Sequence, residues 1–139
     1  MKKGKLLNGP ISRVIAMLGH GDSICIGDAG LPIPPGVERI DLAVTQGMPP
    51  FLKTVEAIVA ELCVEKAIVA TEFTKGISGL HNKLLQQFSD LGLAQGCDIT
   101  IEDCSHEQFK KLTKDCRAIV RTGECTPYAN VILFAGVTF

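Results

Sequence analysis

Residues 18–34, LGHGDSICIGDAGLPIP, contain a short apolar segment with a polar side chain beyond each end. Residues 23–27 are apolar after an initial serine, which predicts a short buried strand. His20 lies before this strand between two glycines, and Asp28 follows it directly. Because an extended strand keeps its ends apart, His20 and Asp28 of one chain are predicted not to touch. They can still face a common pocket across a turn or a subunit boundary.

The segment before this strand has the pattern of an amphipathic helix. Its apolar residues recur at the spacing of one helix face, at Ile11, Val14, Ile15 and Leu18. Asn8 is a candidate N-cap, and Gly19 is a stop signal. The pattern therefore predicts a helix that delivers His20 just past its C-terminus.

Strand and helix patterns alternate along the rest of the chain. Strand patterns lie at about 39–44, 65–71, 98–102, 118–121 and 130–134, and helix patterns lie at about 50–62, 79–91 and 105–116. Strands interleaved with helices of these lengths predict an α/β fold, a single layered domain with a central sheet flanked by helices. No linker, internal repeat or low-complexity segment interrupts the pattern, so we predict one domain over residues 1–139.

The composition is that of a globular domain without a polyanionic partner. Of 139 residues, 46% are hydrophobic and 21% are charged, which is enough to bury a core. The net charge is -1 and no block of like charges occurs, so neither nucleic acid nor a membrane surface is an expected partner. Met1-Lys2-Lys3 is similar to the start of a signal peptide, but polar residues and Pro10 interrupt the apolar region that should follow. We therefore expect a cytoplasmic protein.

The cysteines do not predict a metal site or a disulfide framework. There are six, at Cys25, Cys63, Cys97, Cys104, Cys116 and Cys125, and no two have the spacing of a CxxC motif. The sequence also lacks the GxGxxG and GxxxxGK[ST] phosphate loops, the GxSxG elbow and the HExxH motif. We therefore expect no metal site and no nucleotide cofactor of these types, and the candidate groups are few, including three histidines and one tyrosine.

His20 and Asp28 are the first candidate functional residues. At a helix C-terminus the macrodipole favours a protonated imidazole, which suits His20 to act as a proton donor near neutral pH. The alternative is a histidine that caps free helix carbonyls. Asp28, which lies shortly before Gly30, is alternatively an ordinary turn residue.

His106 is the second candidate. The stretch SHEQ, residues 105–108, fits a capping box with Ser105 as N-cap and Gln108 reaching back, so His106 takes the first helical position. A helix N-terminus favours a neutral imidazole, which can donate and accept hydrogen bonds to a polar ligand. The alternative is an exposed first-turn residue. His81, in the predicted helix 79–91, is expected on its solvated face.

The stretch TPYAN, residues 126–130, supplies a phenol and an amide two residues apart. Pro127 fixes the backbone, and in an extended chain Tyr128 and Asn130 point to one side. Together they carry the donors and acceptors that bind hydroxyl groups. The alternative is a tyrosine that packs at the start of a strand.

Three stretches together resemble one known family. They are HGDSICIGDAGLPIPPGVERIDLAVTQG (20–47), HEQFK (106–110) and RTGECTPYANVILFAGVTF (121–139). In this order they are similar to the D-ribose pyranase family, to which the fucose mutarotases are related. The resemblance extends over essentially the whole chain.

The resemblance implies a cytoplasmic, cofactor-free isomerase that interconverts the pyranose and furanose forms of D-ribose. It implies that His20 is the catalytic residue and that the substrate-binding residues are Asp28, His106, Tyr128, Ala129 and Asn130. It also implies a homo-oligomer in which rings of five subunits stack in pairs to form a decamer. The general base stays open between Asp28, His106 and a water molecule.

Other functions remain open at this point. A pocket that accepts ribose also fits a mutarotase for fucose or another aldose, because the sequence does not define pocket shape. A non-catalytic sugar-binding regulatory module needs the hydroxyl partners but no proton donor. A third possibility is a structural protein that forms a ring of subunits, in which the histidines are incidental.

The C-terminal segment predicts contact with a neighbouring subunit. VILFAGVTF, residues 131–139, is nearly all apolar, whereas the terminus of a monomer is normally polar and frayed. We expect a neighbour to cover this tail and the site to be complete only in the oligomer.

Overall fold

The computed structural model describes residues 1–139 and contains a six-stranded sheet with helices on both faces. The strands are β1 (Ser23–Gly27), β2 (Glu38–Asp41), β3 (Val64–Ala70), β4 (Thr100–Cys104), β5 (Ala118–Arg121) and β6 (Val131–Ala135). The helices are α1 (Gly9–Met17), α2 (Phe51–Val59), α3 (Thr71–Thr74), α4 (Leu80–Gln95) and α5 (His106–Leu112), with a 3-10 turn at Thr113–Asp115. None of these helices combines the length and apolar character needed to cross a bilayer.

One strand runs against all the others. The strand order is β2-β5-β1-β6-β3-β4, and β6 is antiparallel to its neighbours β1 and β3, whereas all the other pairs are parallel. The carboxyl ends of five strands therefore share one edge of the sheet with the amino end of β6. We call this the carboxyl edge, and it includes Asp28, Ser105 and Asn130. The opposite, amino edge includes Asp22 before β1 and Gly136 after β6.

The core lies on both faces of the sheet. The larger buried cluster joins Ile24 of β1 to Phe51 of α2 and Phe88 of α4, and α1 also contributes to it. The smaller cluster lies on the other face, where Cys25 of β1 packs with Phe109 of α5. All five residues of β1 are buried, because this central strand is covered on both sides.

Helix α1 ends where the sequence predicts, and this positions His20. The Asn8 side chain accepts a hydrogen bond from the Ile11 N–H at 2.9 Å, as an N-cap does. The helix ends at Met17, and a turn containing His20 then leads into β1.

The predicted α/β class and the bounds of β1 and β5 are confirmed, whereas other element ends differ. Helix α4 continues to Gln95 rather than ending near Leu91. The reason is tertiary, since the Gln95 side chain donates to the Val64 carbonyl at 2.6 Å and accepts from the Val64 N–H at 3.2 Å. Helix α2 ends at Val59 rather than Leu62, and the short helix α3 is absent from the sequence prediction.

The expectation that His81 lies on a solvated face is wrong. The imidazole is half-buried and meets the Phe73 ring edge-on, with the ring centroids 5.5 Å apart. Burial lowers the pKa of His81 below its ordinary value. Helix α3, which carries Phe73, turns this side of α4 into a packing surface.

We predict that Gly123→Ala destabilises the fold. A Cβ atom at Gly123 overlaps the backbone of Met48, which cannot move as a side chain can. The Gly123 N–H also donates to the Pro49 carbonyl at 3.0 Å, so the two segments are held together. We expect a loss of about 2 kcal/mol or more in the free energy of unfolding, measured by urea titration.

Gly9→Ala is the matched control for this variant. A Cβ at Gly9 meets no atom within 4 Å, so its unfolding midpoint is expected to stay at or above that of the wild type. Equal midpoints for Gly123→Ala and the wild type contradict the predicted backbone overlap.

Candidate functional site

Asp28 and Asn130 form the centre of a polar cluster at the carboxyl edge. The Asp28 N–H donates to Asn130 Oδ1 at 2.8 Å, and Asn130 Nδ2 donates to Asp28 Oδ2 at 3.0 Å. Asn130 is completely buried and Asp28 is half-buried. A Cβ at Gly27 comes within 3.0 Å of Asn130 Oδ1, so a glycine at this position leaves room for the amide. This reciprocal pair fixes the direction of the Asp28 carboxylate.

Three further hydrogen bonds hold the loop that carries Asp28 in place. The Gly30 N–H donates to Asp28 Oδ1 at 2.8 Å, as in an Asx-turn. The Ala29 N–H donates to the Glu124 carbonyl at 2.8 Å. The Ala29 carbonyl accepts from Arg121 Nε at 2.9 Å. Asp28 is therefore the turn residue that the sequence allowed, and it is also fixed by its hydrogen bonds to Asn130.

His106 occupies the first position of α5, also at the carboxyl edge. Ser105 is the N-cap, and its Oγ accepts from the Gln108 N–H at 3.2 Å. The expected return contact from Gln108 is not formed. Instead, Glu72 Oε2 in α3 accepts from the His106 N–H at 2.9 Å. Sequence reasoning missed Glu72, because it lies 34 positions away along the chain.

The imidazole of His106 is packed between two aromatic rings. It lies edge-on to Tyr128, with centroids 5.0 Å apart, and parallel to Phe109, with centroids 6.4 Å apart. Its Nδ1 atom is buried and has no hydrogen-bond partner. A hydrogen on Nδ1 therefore lacks an acceptor, which favours the tautomer with the hydrogen on Nε2. Nε2 is then the ring nitrogen that can donate a hydrogen bond.

The loop from Thr122 to Asn130 does not have the expected extended backbone. Tyr128 has a φ of 65°, in the left-handed region that non-glycine residues rarely adopt. The extended arrangement in which Tyr128 and Asn130 share a side is therefore wrong. Tyr128 is partly exposed beside His106, Asn130 bonds Asp28, and Ala129 between them is buried.

Glu124 organises this loop through its carboxylate. Its Oε1 accepts from the Cys125 N–H at 3.1 Å and from the Thr126 N–H at 3.0 Å. Burial alone raises the pKa of Glu124, but the hydrogen bonds from Thr126 and the backbone of Phe51 and Cys125 outweigh it and leave that pKa lowered. The charged carboxylate thus holds the turn that precedes Tyr128.

His20 lies at the opposite, amino edge. The Gly21 N–H donates to the Ala135 carbonyl at 2.9 Å, and His20 Nε2 lies 2.8 Å from Glu65 Oε2. The imidazole therefore contacts a carboxylate rather than capping the carbonyls of α1. Strand β1 alone separates His20 from Asp28 by about 13 Å, at about 3.3 Å per residue. The chain does not bring His20 to the other candidate residues.

The turn around His20 is fixed by its neighbour Asp22. The Asp22 carboxylate accepts from the Gly19 N–H at 2.9 Å and pairs with Arg117 at 2.9 Å. The Gly19 amide, followed by the Arg117 guanidinium, holds the pKa of Asp22 below its ordinary range. The His20 ring itself stays exposed to solvent at the amino edge.

The two edges offer complementary chemistry. The carboxyl edge presents a carboxylate, an imidazole N–H and a phenol, a set that binds the hydroxyl groups of a small polyol. The amino edge presents an exposed imidazole that can exchange a proton. A cavity of about 610 Å³ elsewhere contains neither set, and its lining is mostly apolar, including Leu62, Leu91 and Val137.

Comparison with known proteins confirms the resemblance. The model of the RbsD / FucU transport protein family matches residues 1–138. The chain is 55% identical to the D-ribose pyranase of Yersinia enterocolitica and 50% identical to that of Edwardsiella ictaluri, over 100% of each chain.

Solved structures agree in fold. Bacillus subtilis RbsD in complex with D-ribose is 46% identical, with a TM-score of 0.90 over 100% of both chains. The fucose mutarotase of Streptococcus pneumoniae in complex with L-fucose has a TM-score of 0.79 over 99% of both chains. At 24% identity, this second likeness shows the fold alone.

We predict that Asn130→Asp destabilises the protein in a pH-dependent way. The substitution removes the Nδ2 donor and places a second carboxylate against Asp28. The folded variant then holds a proton more tightly than the unfolded chain, so its stability falls as pH rises. At mildly alkaline pH we expect a loss of roughly 3 kcal/mol relative to the wild type, with a smaller loss at mildly acidic pH.

Urea titrations at the two pH values measure this difference. Asn82→Asp, on the exposed surface of α4, is the control and is expected to show no such pH-dependent loss. A constant deficit for Asn130→Asp at both pH values contradicts the reciprocal contact.

Proposed function

Since the chain belongs to the RbsD / FucU transport protein family, we propose that it is an isomerase that interconverts the pyranose and furanose forms of D-ribose. The observation that carries this proposal is that the chain is 50% to 55% identical in sequence, over its full length, to relatives named D-ribose pyranase. The ribose complex of the Bacillus subtilis relative supports the same substrate class. We propose that the reaction needs no cofactor.

The sugar is proposed to bind at the carboxyl edge. The Asp28 carboxylate, His106 Nε2 and the Tyr128 phenol hold its hydroxyl groups by their side chains. Ala129 is buried and contributes through its backbone. Asn130 contributes through the amide that orients Asp28.

The proposed mechanism is ring opening followed by closure on another hydroxyl. His20 gives a proton to the ring oxygen, the bond between that oxygen and C1 breaks, and the C1 hydroxyl loses its proton to a base. The resulting aldehyde rotates, and the C4 hydroxyl adds to C1 to form the furanose. In this closure His20 takes back a proton from the C4 hydroxyl, and the base returns its proton to the aldehyde oxygen. His106 faces the sugar as a donor, so Asp28 is the acceptor that we propose as base. Positioned acid and base groups give typically about 10²–10⁴-fold in rate.

We propose that each complete site is shared by two subunits. His20 lies at the amino edge, and the hydroxyl-binding residues lie at the carboxyl edge, so a neighbouring copy must supply the imidazole. The tail also supports an assembly, because Val137 and Phe139 are exposed in the single chain. Rings of five, stacked as a decamer, repeat one such head-to-tail contact around each ring. Six free cysteines suit the cytoplasm, which is the proposed location.

The first test measures exchange between the pyranose and furanose forms of D-ribose. The exchange is measured by NMR saturation transfer between the anomeric signals, with a chelator present. We expect the wild type to accelerate exchange and His20→Ala to lower kcat by about 10²–10⁴-fold with little change in KM. His81→Ala is the histidine control and is expected to stay active.

Other outcomes of this experiment contradict the proposal. Saturable ribose binding without exchange indicates a binding module, and faster exchange of L-fucose than of ribose indicates a mutarotase for that sugar. Loss of activity with the chelator and its recovery with zinc contradict a metal-free reaction.

The second test is complementation between two inactive variants, His20→Ala and His106→Ala. If these residues come from different chains, random reassembly of an equal mixture restores about one quarter of the sites. We therefore expect about a quarter of the wild-type activity after mixing, measured by the same NMR exchange. No recovery despite confirmed subunit exchange places both residues in one chain, and a fully active monomer contradicts the shared site.

A further inference from the structure

Glu65 is the one side chain that forms a hydrogen bond with His20. Its Oε2 lies 2.8 Å from His20 Nε2, and Glu65 makes no other side-chain hydrogen bond or ion pair. The neighbouring Lys66 turns away, since its Nζ lies 4.4 Å from the centre of the Phe134 ring. The nearby acid Asp22 is already paired with Arg117. His20 is therefore the only side chain that the Glu65 carboxylate binds.

The sheet is irregular at the residue that makes this contact. Val64 pairs with Ala135 and Lys66 pairs with Phe134, so the register shifts at Glu65. Glu65 is the extra residue of a β-bulge between β3 and β6. Bulges re-aim a side chain away from the regular alternation and are common next to active sites. Here the bulge directs Glu65 towards the turn that carries His20.

A glycine opposite the bulge leaves room for this side chain. A Cβ at Gly136 lies 3.2 Å from the Cβ of Glu65 and 3.3 Å from Cys63 Sγ, closer than side chains normally approach. The Gly136 N–H also donates to the Cys63 carbonyl at 2.9 Å, which closes the sheet beside the bulge. Strand pairing and a glycine together hold Glu65 where it meets the imidazole.

The contact determines which nitrogen of His20 is free. A carboxylate only accepts hydrogen bonds, so Glu65 selects the tautomer with the hydrogen on Nε2. Nδ1 is then the nitrogen of this exposed ring that is left without a side-chain partner. A charged carboxylate is also a stronger hydrogen-bond acceptor than a neutral oxygen. A carboxylate behind a histidine commonly orients the ring in this way.

We propose that Glu65 is a positioning residue for His20, which it holds with Nδ1 directed at the sugar bound by a neighbouring subunit. This inference rests on the proposed function, because it requires His20 to be the proton donor. Glu65 itself touches no substrate. Its loss therefore lowers kcat and leaves KM for ribose unchanged.

The test compares Glu65→Gln and Glu65→Ala with the wild type. The Gln side chain retains an oxygen that accepts from Nε2 but lacks the charge, whereas Ala lacks both. We expect kcat to fall roughly tenfold for Gln and roughly a hundredfold for Ala, with KM within about twofold. Exposed ion pairs contribute little to stability, so both variants are expected to fold.

A spectroscopic measurement separates positioning from a general structural effect. In protein labelled with ¹⁵N-histidine, the neutral His20 ring is expected to carry its hydrogen on Nε2 in the wild type and in Glu65→Gln. In Glu65→Ala, both tautomers are expected. The His20→Ala spectrum identifies the signal.

Glu61→Gln is the matched control, since Glu61 also forms one exposed ion pair, with Lys2, shortly before β3. Its kcat and its His20 tautomer are expected to equal those of the wild type. If the wild type is active and His20→Ala is inactive, wild-type kcat or an unchanged tautomer in Glu65→Ala overturns the positioning role. An inactive wild type refutes the proposed function, whereas an active His20→Ala refutes only His20 as the proton donor. Either result also removes the positioning role.

Discussion

Strand β6 runs antiparallel between β1 and β3, and the two groups of candidate functional residues lie at its two ends. At the amino end, Asn130 meets Asp28 just after β1 and fixes it by two hydrogen bonds. At the carboxyl end, Ala135 binds the turn before β1, and Gly136 leaves room for Glu65 in β3. If β6 ran parallel to β1, Asn130 would lie near His20, and the two groups would not be separated in this way.

This separation links the proposed chemistry to assembly. Strand β1 is buried along its whole length and cannot bend to bring its ends together. A proton donor at the amino edge and a sugar at the carboxyl edge therefore meet only across a contact between copies. In a head-to-tail ring each chain supplies both edges, one to each neighbour, so every contact forms one site. The exposed apolar tail after β6 is at the amino edge, where such a contact covers it.

The sequence predicts the features that depend on neighbours along the chain. The alternation of strands and helices, the bounds of β1 and the caps Asn8 and Ser105 all follow from local spacing. Contacts between distant segments leave no such signal. Glu72 binds the backbone of His106 from α3, and Glu65 reaches His20 through a bulge whose register is set by pairing with β6. The positive φ of Tyr128 and the packing of His81 on Phe73 likewise depend on tertiary structure.

The surroundings of His20 and His106 suit them to different tasks. The His106 ring packs between Tyr128 and Phe109. Its Nδ1 atom is buried without a partner, so Nε2 is the nitrogen that can donate a hydrogen bond. At His20 the carboxylate of Glu65 takes Nε2, and the exposed ring leaves Nδ1 free. The His20 side chain is 62% exposed, whereas the His106 ring packs against two aromatic rings. These surroundings agree with the proposed roles, in which the exposed His20 transfers a proton and the packed His106 binds a hydroxyl group.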